Sequence, residues 1–161
     1  MSSSSEDSEN LATNAIDGNP KTFFVSDLVI ATNEWIQLKL ENVALVSKVV
    51  ITESASSLND KTSKNDVYRL ININVFVGNI ENTQDDRNLM DTNEICNSFA
   101  GPGMKEEEII ISCKPSALEG RFVTIQKLDQ SALIVGEILV FGKEISFDGT
   151  QKGLYIVFDY L

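Results

Sequence analysis

The chain has 161 residues, 42% hydrophobic and 23% charged, a composition that fits one folded domain and excludes a disordered chain. A net charge of −11 repels phosphate backbones and anionic lipid, which argues against nucleic acid and electrostatic membrane docking. Histidine is absent, so Ser-His and Cys-His nucleophile systems and ordinary zinc sites drop out, and no enzyme activity is expected.

Residues 1–10, with the serine run Ser2–Ser5 followed by acids, hold almost nothing apolar, and a flexible lead-in is predicted there. The start lacks the basic and apolar regions of a signal peptide. From residue 11 onward the hydrophobic period is two. Trp35-Ile36-Gln37-Leu38-Lys39-Leu40 alternates, and Val46–Thr52 is β-branched around Val49-Val50-Ile51. Tyr68–Val77 reads as a long strand with Asn72 and Asn74 on one side. Ile109-Ile110-Ile111, Arg121–Ile125 and Leu133–Phe141 follow, separated by turn clusters such as Ser56–Lys61 and Gly101-Pro102-Gly103. Residues 144–161, with the apolar run Leu154–Phe158, read as a tail or an extra edge strand. No stretch reaches the length of a membrane span. Many short strands with irregular connections predict an all-β sandwich over 11–143.

Three features carry chemistry. Asn14-Ala15-Ile16-Asp17-Gly18-Asn19-Pro20 gathers oxygen donors around a turn. It suits calcium, which takes six to eight oxygens, although on this segment alone a plain Asx turn is the simpler reading. Glu137 is the one charge in Leu133–Phe141, a strand predicted to be buried on both faces. A carboxylate in such a place must hold a proton, a basic partner or a metal. Cys96 and Cys113 flank Gly101-Pro102-Gly103 and form either a bridge, implying an oxidising compartment, or two buried thiols.

Taken together, Asn14–Pro20 with Thr22, Phe24 and Ser26, then Trp35-Ile36-Gln37-Leu38, then Glu137-Ile138-x-Val140-x-Gly142 resemble the discoidin-like jelly-roll domains. Within that group, Cys96, Cys113 and Gly120-Arg121-Phe122-Val123-Thr124-Ile125 look like the F-type lectins (fucolectins), over about residues 3 to 142. The resemblance implies a discoidin-like jelly-roll β-sandwich and a bound Ca2+. Carried over by position, the calcium ligands are Asn14, Asp17, Asn19, Ser26, the main chain of Gly136, and Glu137. It also implies a Cys96–Cys113 disulfide, an extracellular, secreted protein, and a first strand cut short at this chain's start.

The family's fucose motif is a His, then Arg-x-Asp followed by a basic residue. In this sequence Asp27 stands in the His place, Ser54 and Ser56 in the Arg and Asp places, and Lys61 in the final basic place. Only Lys61 matches, because Ser54 cannot donate as a guanidinium fork and Asp27 reverses a charge. Fucose binding in the family's usual manner is therefore not expected. The reading is a calcium-binding lectin-like module whose partner is a glycan or glycoprotein. The alternative is a non-catalytic interaction domain that kept the scaffold and meets a protein or other domains of a larger chain.

Overall fold

A computed structural model of the chain describes residues 1–19, 21–26, 33–54, 70–83, 93–104, 106–145 and 151–153. Ten strands and one 3₁₀ turn are present among them: β1 Ser2–Ser3, the turn Ala12–Ile16, β2 Phe24–Val25, β3 Trp35–Thr52, β4 Ile73–Gly78, β5 Glu94–Phe99, β6 Glu108–Ser112, β7 Leu118–Lys127, β8 Ile134–Val135, β9 Glu137–Ile145 and β10 Gln151–Gly153.

The two runs Trp35–Leu40 and Val46–Thr52 are one bent strand, β3. Its first half lies antiparallel to β7, with Trp35 opposite Gln126 and Leu38 opposite Val123. Its second half lies between β9 and β6, with Val50 opposite both Leu139 and Ile110. Register shifts between Lys39 and Ala44 and between Val46 and Lys48 mark the bend, as bulges do where a strand changes layer. One layer continues β3-β7-β4-β5, and the other holds β6, the second half of β3, β9 and β10. The all-β sandwich expected from the period-two pattern is what forms.

Between the layers sit Ile36, Leu38, Leu40, Val49, Ile51, Val75, Val77, Val123, Ile125, Ile138 and Val140 in one cluster. Burying a side chain of this size is worth about 1.5–3 kcal/mol, so this alternating set dominates the stability. Gly120 is required by close approach. A Cβ there would meet the Gly78 backbone at 2.6 Å, so the two glycines let β7 and β4 close up. Cys96 in β5 and Cys113 just beyond β6 form a disulfide across a sequence separation of 17.

Four expectations are corrected. The lead-in is docked rather than flexible: Ser2 and Ser3 pair with Gln37 and Ile36, and the Ser4 N–H donates to the Trp35 carbonyl. Its hydroxyls explain this, because those of Ser4 and Ser5 donate to the buried Glu34 carboxylate. Of the strand expected over Tyr68–Val77, Tyr68 and Arg69 lie outside the described residues, and from Leu70 on pairing starts at Ile73, since Asn72 takes a left-handed φ of 52°. The stretch Leu133–Phe141 is broken at Gly136 into β8 and β9. β9 buries one face rather than two, leaving Leu139 43% exposed, because nothing among the described residues covers that side. Within 144–161, residues 151–153 form a short edge strand, β10, pairing Gln151 with Ile145 and Gly153 with Lys143. Leu154–Phe158 lies outside the described residues.

Candidate metal and ligand site

The 3₁₀ turn Ala12–Ile16 buries Ala12 and Ala15, which anchors the turn on the sandwich and presents Asp17 at its end. Gly18 follows with φ 69°, a left-handed conformation that glycine adopts without strain. The Asp17 carboxylate accepts from the Asn19 N–H at 2.8 Å and from the Thr22 hydroxyl at 2.7 Å, an Asx turn reinforced from the far side. Asn14 donates its side-chain amide to the Phe23 carbonyl at 3.1 Å, and the Asn19 side chain accepts from the Lys21 N–H at 3.1 Å. The loop is thus held shut by its own polar side chains.

Glu137 opens β9 opposite Thr52. There it meets Asp17: burial first, then the hydrogen bond and charge of Asp17, raise its carboxyl to about 7, opposed by the N–H groups of Gly18 and Asn19. The Glu137 Oε1 atom is buried and has no hydrogen-bond partner. Two carboxylates pressed together, one with an orphaned oxygen, need either a shared proton or a cation between them. Sequence reasoning left a salt bridge open for Glu137, and none forms among the described residues.

The remaining expected ligands fall as follows. Gly136 adjoins Glu137, its N–H donates to the Thr52 carbonyl at 2.9 Å, and a Cβ would come within 3.1 Å of that oxygen. Ser26 is fully buried, and its hydroxyl accepts from the Leu133 N–H at 2.9 Å, so it also fastens β2 to β8. Asp17 and Glu137 meet and Asn14 and Asn19 share the turn, whereas the contacts of Ser26 are with Leu133 and those of Gly136 with Thr52. No three His, Cys, Asp or Glu side chains cluster among the described residues, so any ion here would rely on neutral oxygens as well. That donor chemistry fits calcium and does not fit zinc. Asp27 and Lys61, expected at the sugar site, lie outside the described residues.

Sequence reasoning missed three buried charges at strand ends. Glu34 precedes β3, Glu53 follows it, and Lys127 ends β7; all are nearly or fully inaccessible. Burial lowers the Lys127 ammonium below its ordinary value, while Asp129 and Glu53 pull it back up. Nothing local marks these residues. Their pairing depends on β3 bending so that both of its ends approach β7, which no short window of sequence reveals.

Comparison with known proteins places this geometry in context. The F5/8 type C domain model matches residues 1–135. No curated protein matches the chain in sequence. Among solved structures, the family 32 carbohydrate-binding module of Clostridium perfringens NanJ in complex with galactose superposes with TM-score 0.64 at 17% identity, covering 86% of this chain and 90% of that one. A fucolectin from striped bass (Morone saxatilis) serum gives TM-score 0.65 at 18% identity, covering 87% of this chain and 44% of its own. The lectin domain of lectinolysin, complexed with Lewis B antigen, gives TM-score 0.63 at 22% identity, with 88% and 90% covered. The likeness to these structures is one of fold, and the family match spans most of the sequence: the chain belongs to the F5/8 type C, discoidin-like, domain family.

Proposed function

We propose that the chain is a secreted, non-catalytic carbohydrate-recognition module stabilised by one calcium ion. The observation that carries the calcium is the meeting of Asp17 with Glu137, whose buried Oε1 has no partner. Asp17, Glu137, Asn14, Asn19, Ser26 and the main chain of Gly136 would hold the ion. Bound there, calcium supplies charge neutralisation and a fixed loop rather than a reaction step. The residues themselves do the remaining positioning: Thr22 orients the Asp17 carboxylate, and Ser26 locks the neighbouring strand end. A loop end fixed before the ligand arrives spends less binding energy on ordering.

The carbohydrate half rests on the family and on the galactose- and Lewis B-bound structures that share the fold. Fucose is not proposed as the specific ligand, since Ser54 and Asp27 replace the donors the fucose motif needs. The disulfide supports the extracellular assignment.

A second reading, a protein-interaction module, draws on Ile110 (62% exposed) and Leu139 (43% exposed), which flank Val50 on the outer face of β6-β3-β9. A glycan array probed with the chain in calcium separates the two. Micromolar binding to any glycan, weakened by Lys61→Ala, supports the lectin. Silence across the array overturns it in favour of the interaction module.

A further inference from the structure

The outer face of β6-β3-β9 carries an apolar row with opposite charges on its two sides. Val50 pairs with Ile110 on one side and with Leu139 on the other, so the three lie abreast across the sheet. Their strand neighbours Ile109, Ile111, Val49, Ile51, Ile138 and Val140 all belong to the core, which turns the row outward. Ile110 and Leu139 stand exposed, and Val50 between them is covered by these two larger side chains. A single surface leucine is ordinary, but three apolar residues abreast on adjacent strands make a continuous stripe about 10 Å long. Two residues toward one end of the strands stands Glu108, exposed and opposite Thr52. Two residues toward the other end stands Lys48, opposite Ser112 and Phe141. Its ammonium sits 4.2 Å from the centre of the Phe141 ring, which holds the charge over the outer face. Neither Glu108 nor Lys48 has an ion-pair partner among the described residues.

This pattern is its own complement. A two-fold axis lying along the row stacks Ile110, Val50 and Leu139 on the same residues of a second copy and reverses the strand direction. The acidic side of one copy then covers the basic side of the other. At the usual sheet-to-sheet spacing of about 10 Å, Glu108 comes within side-chain reach of the partner's Lys48, one strand over. The other possible two-fold, along the strands, would set the acidic sides together. The charges therefore select one orientation as well as one partner.

We infer that this face is the interface of a two-fold dimer of the chain. The inference holds whether the module's ligand is a glycan or a protein. Glu137 lies opposite Thr52 at the acidic side of the row, so the reversed strands point the two Asp17–Glu137 ends in opposite directions. Such a dimer joins two ligands rather than gripping one twice. The face is three strands wide, small beside the roughly 800 Å² per partner of a standard interface, and a Kd on the order of tens of micromolar is expected. The test is sedimentation velocity of the full chain from low micromolar to near-millimolar concentration. The average mass should rise from that of one chain toward that of two. Ile110→Glu, at an exposed position, should abolish the rise with the circular dichroism spectrum unchanged. Lys48→Glu and Glu108→Lys should each weaken self-association roughly tenfold or more. Mixing those two variants should restore it, because the mixed dimer regains both acid–base contacts, a rescue that a structural role for either residue would not give. A chain monomeric at every concentration would overturn the proposal and leave the face to a different protein. A dimer indifferent to Ile110→Glu, or charge variants that do not recover on mixing, would overturn it as well.

Discussion

Replacing Glu137 by glutamine keeps its shape and removes one charge from the Asp17–Glu137 contact, and two opposite effects should follow. Without metal, Glu137 of the wild-type chain is ionised at pH 8 while it faces Asp17. The rise of the Glu137 carboxyl from 4.5 to about 7 measures how poorly the folded state tolerates that. Full burial would make the penalty about 3 kcal/mol, but this side chain is only partly buried, and solvent screening reduces it to about 1 kcal/mol. Glu137→Gln should therefore raise the Tm in chelator by roughly 2–4 °C for a domain of this size. With calcium at a hundredfold its Kd, the wild type gains about 2.7 kcal/mol, or roughly 5–10 °C, whereas the variant should gain almost nothing. The two proteins exchange rank between chelator and calcium. Differential scanning calorimetry at pH 8 in both buffers reads this directly. A wild type indifferent to calcium, with the variant less stable in both, would refute the reasoning.

Other perturbations probe separate parts of the account. In chelator, stability should fall as pH rises from about 4.5 through about 7, because the folded chain retains the Glu137 proton that the unfolded chain has already released; urea titrations at pH 4.5, 6 and 8 check the direction. Cys96→Ser with Cys113→Ser opens a loop of sequence separation 17 and should cost about 3 kcal/mol in urea unfolding. Ser4→Ala removes a hydroxyl that donates to Glu34 and accepts from the Trp35 N–H at 3.0 Å. A loss of about 1–3 kcal/mol is expected by the same assay, and none at all would mean the first residues are not docked.

The fold was legible because it rests on short-range alternation. Trp35–Leu40, Val49–Ile51 and Val123–Ile125 each read as strands, and each buries the residues its period assigns. The Asp17–Glu137 contact was legible through a different signal, the resemblance to the F-type lectins, which joins an acid out of place in an apolar run to an oxygen-rich turn far upstream. What stayed hidden depends on chain geometry at longer range. The bend that makes β3 one strand, the pairing of Ser2 with Gln37, and the burial of Glu34, Glu53 and Lys127 all require distant segments to be placed first. A serine-rich start looks solvated in isolation. It becomes structural once Glu34 is buried beside it and needs donors. The apolar run Leu133–Phe141 implies a strand buried on both faces, because Leu139 and Phe141 are apolar, yet the outer face of β9 is open among the described residues.

The central claim is that Asp17 and Glu137 share a calcium ion, and isothermal titration of calcium into chelator-stripped protein tests it most directly. One ion per chain should bind to the wild type, and Glu137→Gln should abolish the heat. A flat titration of the wild type, or unchanged binding in the variant, would contradict it.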